Sequence, residues 1–94
     1  MVPANKPTHY TLSRQATLDL KFWAKNIPSS LTRISVLIDS IMANPYSGIG
    51  KPKPLKYSLE GYWSRRIDSA HRIVYRIKGD VLEIIALRGH YEKL

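Results

Sequence analysis

After Ser13, apolar residues recur at three- and four-residue intervals at Ala16, Leu20, Trp23 and Ile27, so the spacing predicts a helix over residues 13–26 with Ser13 supplying the cap. Pro28 breaks that helix, and Ser29 and Ser30 offer caps for a second one, whose apolar face is Leu31, Ile34, Leu37, Ile38 and Ile41. Asn44-Pro45 ends it. A short strand is expected over residues 10–12, before the helices. After them the period falls to two: residues 62–67, 71–78 and 81–88 are β-rich runs separated by Asp68-Ser69-Ala70 and by Gly79-Asp80. Two amphipathic helices cannot bury both stripes on each other, so the strands must cover them. The pattern therefore predicts an α+β fold, with two N-terminal helices on one face of a small antiparallel sheet, in the order β-α-α-β-β-β with room for one more strand.

Alternation also assigns faces. Trp63 and Ile67, and on the next run Ile73, Tyr75 and Ile77, form apolar rows for the helices. Arg66 and Arg72 have the opposite parity, joined by Arg76, and are expected to project from an uncovered face. Between the helices and these strands lies Ser47-Gly48-Ile49-Gly50-Lys51-Pro52-Lys53-Pro54, too rich in Gly and Pro for a helix or a central strand. It reads as a loop whose prolines hold Lys51 and Lys53 outward. No Gly-Lys-Ser/Thr follows, as a phosphate-cradling P-loop would require.

Ninety-four residues suit one domain, read here as residues 10–94 behind a flexible extension of residues 1–9 in which His9 is solvated. Lys and Arg number 15 against 7 Asp and Glu, a formal charge of +8 that favours a polyanionic partner. Residues 51–94 carry ten basic and five acidic side chains, residues 1–50 five and two. The absence of Cys removes disulfides and thiolate chemistry and suits a reducing cytoplasm. No apolar run approaches the roughly 18 residues of a membrane span, and no secretory signal is expected. Neither helix presents the basic stripe of a groove-reading DNA binder, and Lys21, Lys25 and Arg33 read as ordinary solvated positions.

The chemistry gathers late in the chain. Lys51, Lys53, Lys56, Arg65, Arg66 and Arg72 lie among Tyr57, Tyr62 and Trp63, and His90 and Tyr91 follow near the end. Cleaving RNA by internal attack needs a base near the 2′-hydroxyl, cations for the charge on the phosphate, and an acid for the leaving oxygen. Arginine presents a planar fork to phosphate oxygens, whereas lysines act as point charges. Imidazole titrates near neutrality, which suits His90 to the acid role. No metal or cofactor is expected.

Gly50-Lys51-Pro52-Lys53-Pro54-Leu55-Lys56, then Leu59-Glu60-Gly61-Tyr62-Trp63-Ser64-Arg65-Arg66-Ile67, His71-Arg72-Ile73-Val74-Tyr75 and Arg88-Gly89-His90-Tyr91 together resemble the YoeB (Txe/YoeB) toxins of bacterial toxin-antitoxin pairs, within the RelE/ParE superfamily. The resemblance runs over about residues 10–91. It implies a messenger-RNA endonuclease working in the A site of the 70S ribosome, forming a homodimer and silenced by a cognate antitoxin. It further implies that Arg72 stabilises the scissile phosphate, His90 is the general acid, Tyr91 holds the substrate, and Arg66 and Lys56 assist binding. Lys51 and Arg65 join them as basic residues of the same stretch. The terminal Arg-x-His-Tyr arrangement is unlike the gyrase-inhibiting ParE branch.

One position departs from that family. The glutamate that serves as its general base, between the two loop prolines, is here Lys53. Three readings stay open: Lys53 is a base of lowered pKa or a phosphate clamp, another residue such as Glu60 or Glu92 takes the proton, or the chain is a weakened toxin that binds ribosome or antitoxin and cuts poorly.

Overall fold

The structure, a computed structural model, describes residues 6–90. Among them the order is β1 (His9–Leu12), α1 (Arg14–Asn26), α2 (Ser30–Ala43), β2 (Lys53–Pro54), a 3-10 turn (Tyr57–Leu59), β3 (Trp63–Arg66), β4 (Arg72–Lys78) and β5 (Val81–Ala86). Ser13 caps α1 as expected, its hydroxyl accepting the Ala16 N–H at 3.0 Å. Ser29 occupies the N-cap of α2 but makes no side-chain capping bond, because its backbone is already helical. The chain turns there through bonds from Ser30 N to Ile27 O and Leu31 N to Pro28 O instead.

The sheet runs β1-β5-β4-β3-β2. Strands β2 to β5 are antiparallel, but β1 lies parallel to β5, which makes the sheet mixed where an all-antiparallel one was expected. The reason is topological: β1 leads into helices that cross one face, and the chain regains the edge beside β1 only after the whole meander. β1 also starts at His9, paired with Val81, and Thr8 N–H bonds Asp80 O at 2.8 Å. With Pro7 buried as well, ordered packing begins inside the stretch read as an extension.

The main core lies between helices and sheet, with Trp23, Leu37, Ile41, Ile73, Tyr75, Leu82, Ile84 and Leu87 all essentially buried. The opposite face is not fully open, contrary to expectation. Leu55, Val74 and Ala86 form a second, smaller cluster flanked by Leu59, Tyr62 and Ile85, so the segment after β2 folds back over part of that face. Val74 pairs with Ala86 and Tyr75 with Ile84, leaving Ile85 as an extra residue. This bulge reverses the alternation, sending Leu87 into the main core and re-aiming the chain beyond it.

Gly50 marks a tight point between α2 and β3. Its φ is +81°, and a Cβ would sit 2.7 Å from Leu37 Cδ2 and 3.2 Å from Arg65 Cβ. Gly50→Ala is therefore expected to cost about 1–3 kcal/mol from overpacking and a left-handed backbone. A thermal melt should show a fall of several degrees, and an unchanged midpoint would refute the close approach.

Candidate functional site

Arg66 of β3 stands directly opposite Arg72 of β4, and Ser64 opposite both Lys53 of β2 and Val74 of β4. Cross-strand partners point to the same face and alternate residues share it, so Lys53, Ser64, Arg66 and Arg72 all belong to the face away from the helices. Lys53 lies two strand spacings from β4, roughly 10 Å. Lys51, Lys53, Lys56 and Arg66 are exposed, and form a basic rim beside β3. Lys51 has φ +54°, a left-handed conformation at the turn where Gly50 O accepts the Arg66 N–H at 2.7 Å.

Arg72 has the expected face but not the expected freedom. It is 2% exposed. Its Nη1 donates to Asp68 O at 2.9 Å, His71 O at 3.1 Å and Ser69 O at 3.4 Å, so the turn before β4 wraps its own carbonyls around the guanidinium. Asp68 shapes that turn, its Oδ1 accepting the N–H groups of Ala70 and His71 at 2.8 and 2.7 Å. The Arg72 backbone N–H in turn donates to Gly89 O at 2.9 Å, which brings the residue before His90 alongside Arg72. His90 is exposed. Tyr91 and Glu92 lie outside the described residues.

Two arginines read as part of a basic surface have other duties. Arg65 is 0% exposed, and its parity is that of Trp63 and Ile67, toward the helices. Its Nε donates to Tyr75 Oη (3.2 Å), Nη1 to Ser40 Oγ (2.7 Å) and Ile49 O (3.2 Å), and Nη2 to Asn44 O (2.6 Å) and Ser47 O (2.9 Å). Read as RNA-binding, Arg65 is instead turned inward, as a structural hub that organises the loop leading to Lys51 and Lys53. Arg76 is paired with Glu83 at 2.6 Å and lies 5.1 Å from the Tyr62 ring centroid. Arg33, read as a solvated position, donates from Nη2 to Arg66 O at 3.0 Å and ties α2 to the end of β3.

The segment after β5 is gripped by side chains that sequence reasoning passed over. Leu87 N–H donates to Asp19 Oδ2 at 2.9 Å, and Trp23 Nε1 donates to Leu87 O at 2.7 Å. Gly89 N–H donates to His71 Nδ1 at 3.0 Å, and the His71 ring meets Trp23 edge-on at 5.0 Å. One signal was available: Asp19 is an acid on the buried stripe of α1, between Ala16 and Trp23, and only 3% exposed.

Lys51, Lys53, Lys56, Arg66 and His90 are exposed, which suits a polymer. A cavity of about 320 Å³ lined by Lys6, Pro45, Tyr46, Ile77 and Gly79 sits at the far end of β4 from Arg72. Among the described residues no three His, Cys, Asp or Glu side chains gather as a metal site, and no helix is long and apolar enough to cross a membrane.

Residues 12–91 match the family described as YoeB-like toxin of bacterial type II toxin-antitoxin system. Toxin YoeB of Synechocystis sp. is 49% identical over 75 residues, covering 80% of this chain and 87% of that protein. A YoeB dimer from Staphylococcus aureus superposes with a TM-score of 0.82 at 38% identity, over 94% of this chain and 100% of that one. A YoeB-YefM complex from Staphylococcus aureus gives a TM-score of 0.80 at 40% identity, covering 87% of this chain and 95% of that one. With the family match spanning nearly the whole described chain and the same fold recurring in those relatives, this protein belongs to the YoeB-like toxins of bacterial type II toxin-antitoxin systems.

Proposed function

We propose that this toxin is a ribosome-dependent endoribonuclease that cuts messenger RNA in the A site and thereby stops translation. The observation that carries the reading is the in-register pairing of Arg66 with Arg72, with the Arg72 N–H bonded to Gly89 O beside His90. In the reaction a 2′-oxygen bonds to the adjoining phosphorus as the bond to the 5′-oxygen breaks, leaving a 2′,3′-cyclic phosphate and a 5′-hydroxyl. His90 gives the leaving oxygen its proton, and the proton of the 2′-hydroxyl passes to a base. The exposed Arg66 meets the extra negative charge on the non-bridging oxygens, and the buried Arg72 adds its charge from beneath. Lys51 and Lys56 hold the flanking backbone, and Tyr91, next to His90, holds the substrate.

Lys53 acts as a phosphate clamp in this reading. It is exposed on an edge strand and lacks the burial by which a lysine becomes a base. Lys53→Glu is expected to speed single-turnover cleavage about tenfold or more by restoring a carboxylate base, while weakening substrate binding at low salt. Loss of cleavage in Lys53→Glu would instead make Lys53 the base. A second reading, a weakened toxin that acts by binding ribosome or antitoxin, rests on the same substitution.

Primer extension on a message held by purified ribosomes tests the nuclease reading, with cuts expected inside the A-site codon. No cut at any toxin concentration would overturn it. An antitoxin and a second copy of the chain complete the partners. They are supported by the dimer and the YoeB-YefM complex of the Staphylococcus aureus relatives, and the +8 charge favours an acidic, partly disordered antitoxin segment.

A further inference from the structure

His90 sits four residues past β5, outside the sheet ladder that would hold it. Four hydrogen bonds counter that, and they are arranged in a pattern: both backbone groups of Leu87 and both backbone groups of Gly89 are taken, while Arg88 between them lies over the Phe22 ring at 3.5 Å. Asp19 and Trp23, one turn apart on α1, grip Leu87. His71 and the Arg72 backbone grip Gly89, whose φ of +89° aims the chain onward to His90.

The grip on Gly89 fixes a protonation state. A backbone N–H can only donate, so His71 Nδ1 must be the acceptor with its lone pair free, and the imidazole must be neutral. A protonated imidazole presents N–H at both nitrogens and would repel the Gly89 N–H. The charged groups next to His71 or to the segment it grips are Asp68, whose Oδ1 takes the His71 backbone N–H, Arg72 beside it on β4, Asp19 of α1, which holds Leu87, and Arg88 and His90 on either side of Gly89.

We infer that Asp19, Trp23 and His71 are positioning residues that aim His90 at the scissile linkage, and that His71 does so only while its Nδ1 lone pair is free of a proton. This rests on the nuclease reading above. Cleavage then needs two imidazoles in opposite states, His90 with a proton and His71 without one at Nδ1, so the rate falls more steeply on the acid side than loss of the base alone would make it.

The test compares His71→Leu with His71→Asn in the full chain. The two side chains have the same shape, but Asn can place a carbonyl oxygen where Nδ1 stands and does not titrate. His71→Leu is expected to lower the single-turnover rate on ribosome-bound message about 10- to 100-fold, the scale of a misplaced catalytic group, with ribosome affinity unchanged. His71→Asn is expected to recover most of that rate and to show a shallower acid-side fall than the parent. In hydrogen exchange the Gly89 amide should be slow in the parent and in His71→Asn and fast in His71→Leu. Cleavage by His71→Leu at the parental rate overturns the inference, as does an Asn variant as slow as Leu or one whose acid-side fall is as steep as the parent's. Should His71→Leu not fold, the pH profiles of the parent and His71→Asn decide alone. A parent that makes no cut overturns the nuclease reading itself, and Gly89 amide exchange then decides the clamp.

Discussion

His90→Ala is expected to slow messenger cleavage on ribosomes by about 10²- to 10⁴-fold, the usual worth of a positioned general acid, while the thermal midpoint stays near that of the parent. His90 is exposed beyond the last strand, so truncating it removes no core packing. The leaving 5′-oxygen would then depart as an alkoxide or draw a proton from water, and the cations would still bind the phosphate. Binding to the ribosome should survive. Cleavage at the parental rate would remove His90 from the mechanism, and growth arrest that persists without cleavage would show that toxicity comes from binding. Arg72→Ala is a poorer test than parity alone suggested. A side chain 2% exposed whose Nη1 meets three carbonyls cannot be cut away without loosening the 68–71 turn, so rate and stability would fall together. The exposed Arg66 is the cleaner place to probe the charge.

The helices and the three-strand meander were legible because their periods are unambiguous, and the Ser13 cap and the Asn44-Pro45 stop fall where residue chemistry puts them. The parallel docking of β1 was not, since a four-residue strand carries no signal for its partner when that partner lies some seventy residues away. The second cluster around Val74 was hidden for a related reason: Leu55, Leu59 and Tyr62 follow no period, and only the path of the loop brings them over the sheet. At the site, alternation put Arg66 and Arg72 together correctly. Applied to Arg65 it would have turned that residue inward as well, but the run of basic neighbours made it look like surface. Burial of an arginine depends on a cage of carbonyls from residues 44–49, and backbone carbonyls leave no mark in a sequence. The same holds for Leu87 and Gly89, gripped by their main-chain groups.

Arg65→Met is expected to destabilise the fold by about 3–5 kcal/mol, a large share of the roughly 5–15 kcal/mol that holds a domain together. Methionine fills similar volume but donates nothing, so Asn44 O, Ser47 O, Ile49 O and Ser40 Oγ lose the donors the guanidinium gives them, at about 1–3 kcal/mol for each group that water does not reach in its place. Lysine should not rescue, because one ammonium cannot span five acceptors on three sides. Tyr75 shares the hub, donating to Pro45 O at 2.6 Å and accepting from Arg65 Nε. Burial holds its hydroxyl above the ordinary tyrosine value of 10.0, with Arg65 pulling the other way. A folded value raised in this way gives stability that is complete below pH 10.0 and declines as pH rises toward the folded value, and removing Arg65 should extend that decline to higher pH. Thermal and urea melts at neutral and alkaline pH would measure both effects, with substitution of the exposed Arg66 as the control that shifts stability by no more than about 0.5 kcal/mol. Because the loop from residue 44 to residue 50 carries Lys51 and Lys53, cleavage should fall in step with stability. An Arg65→Met protein that melts like the parent but binds RNA weakly would reverse the assignment and give this guanidinium to the substrate.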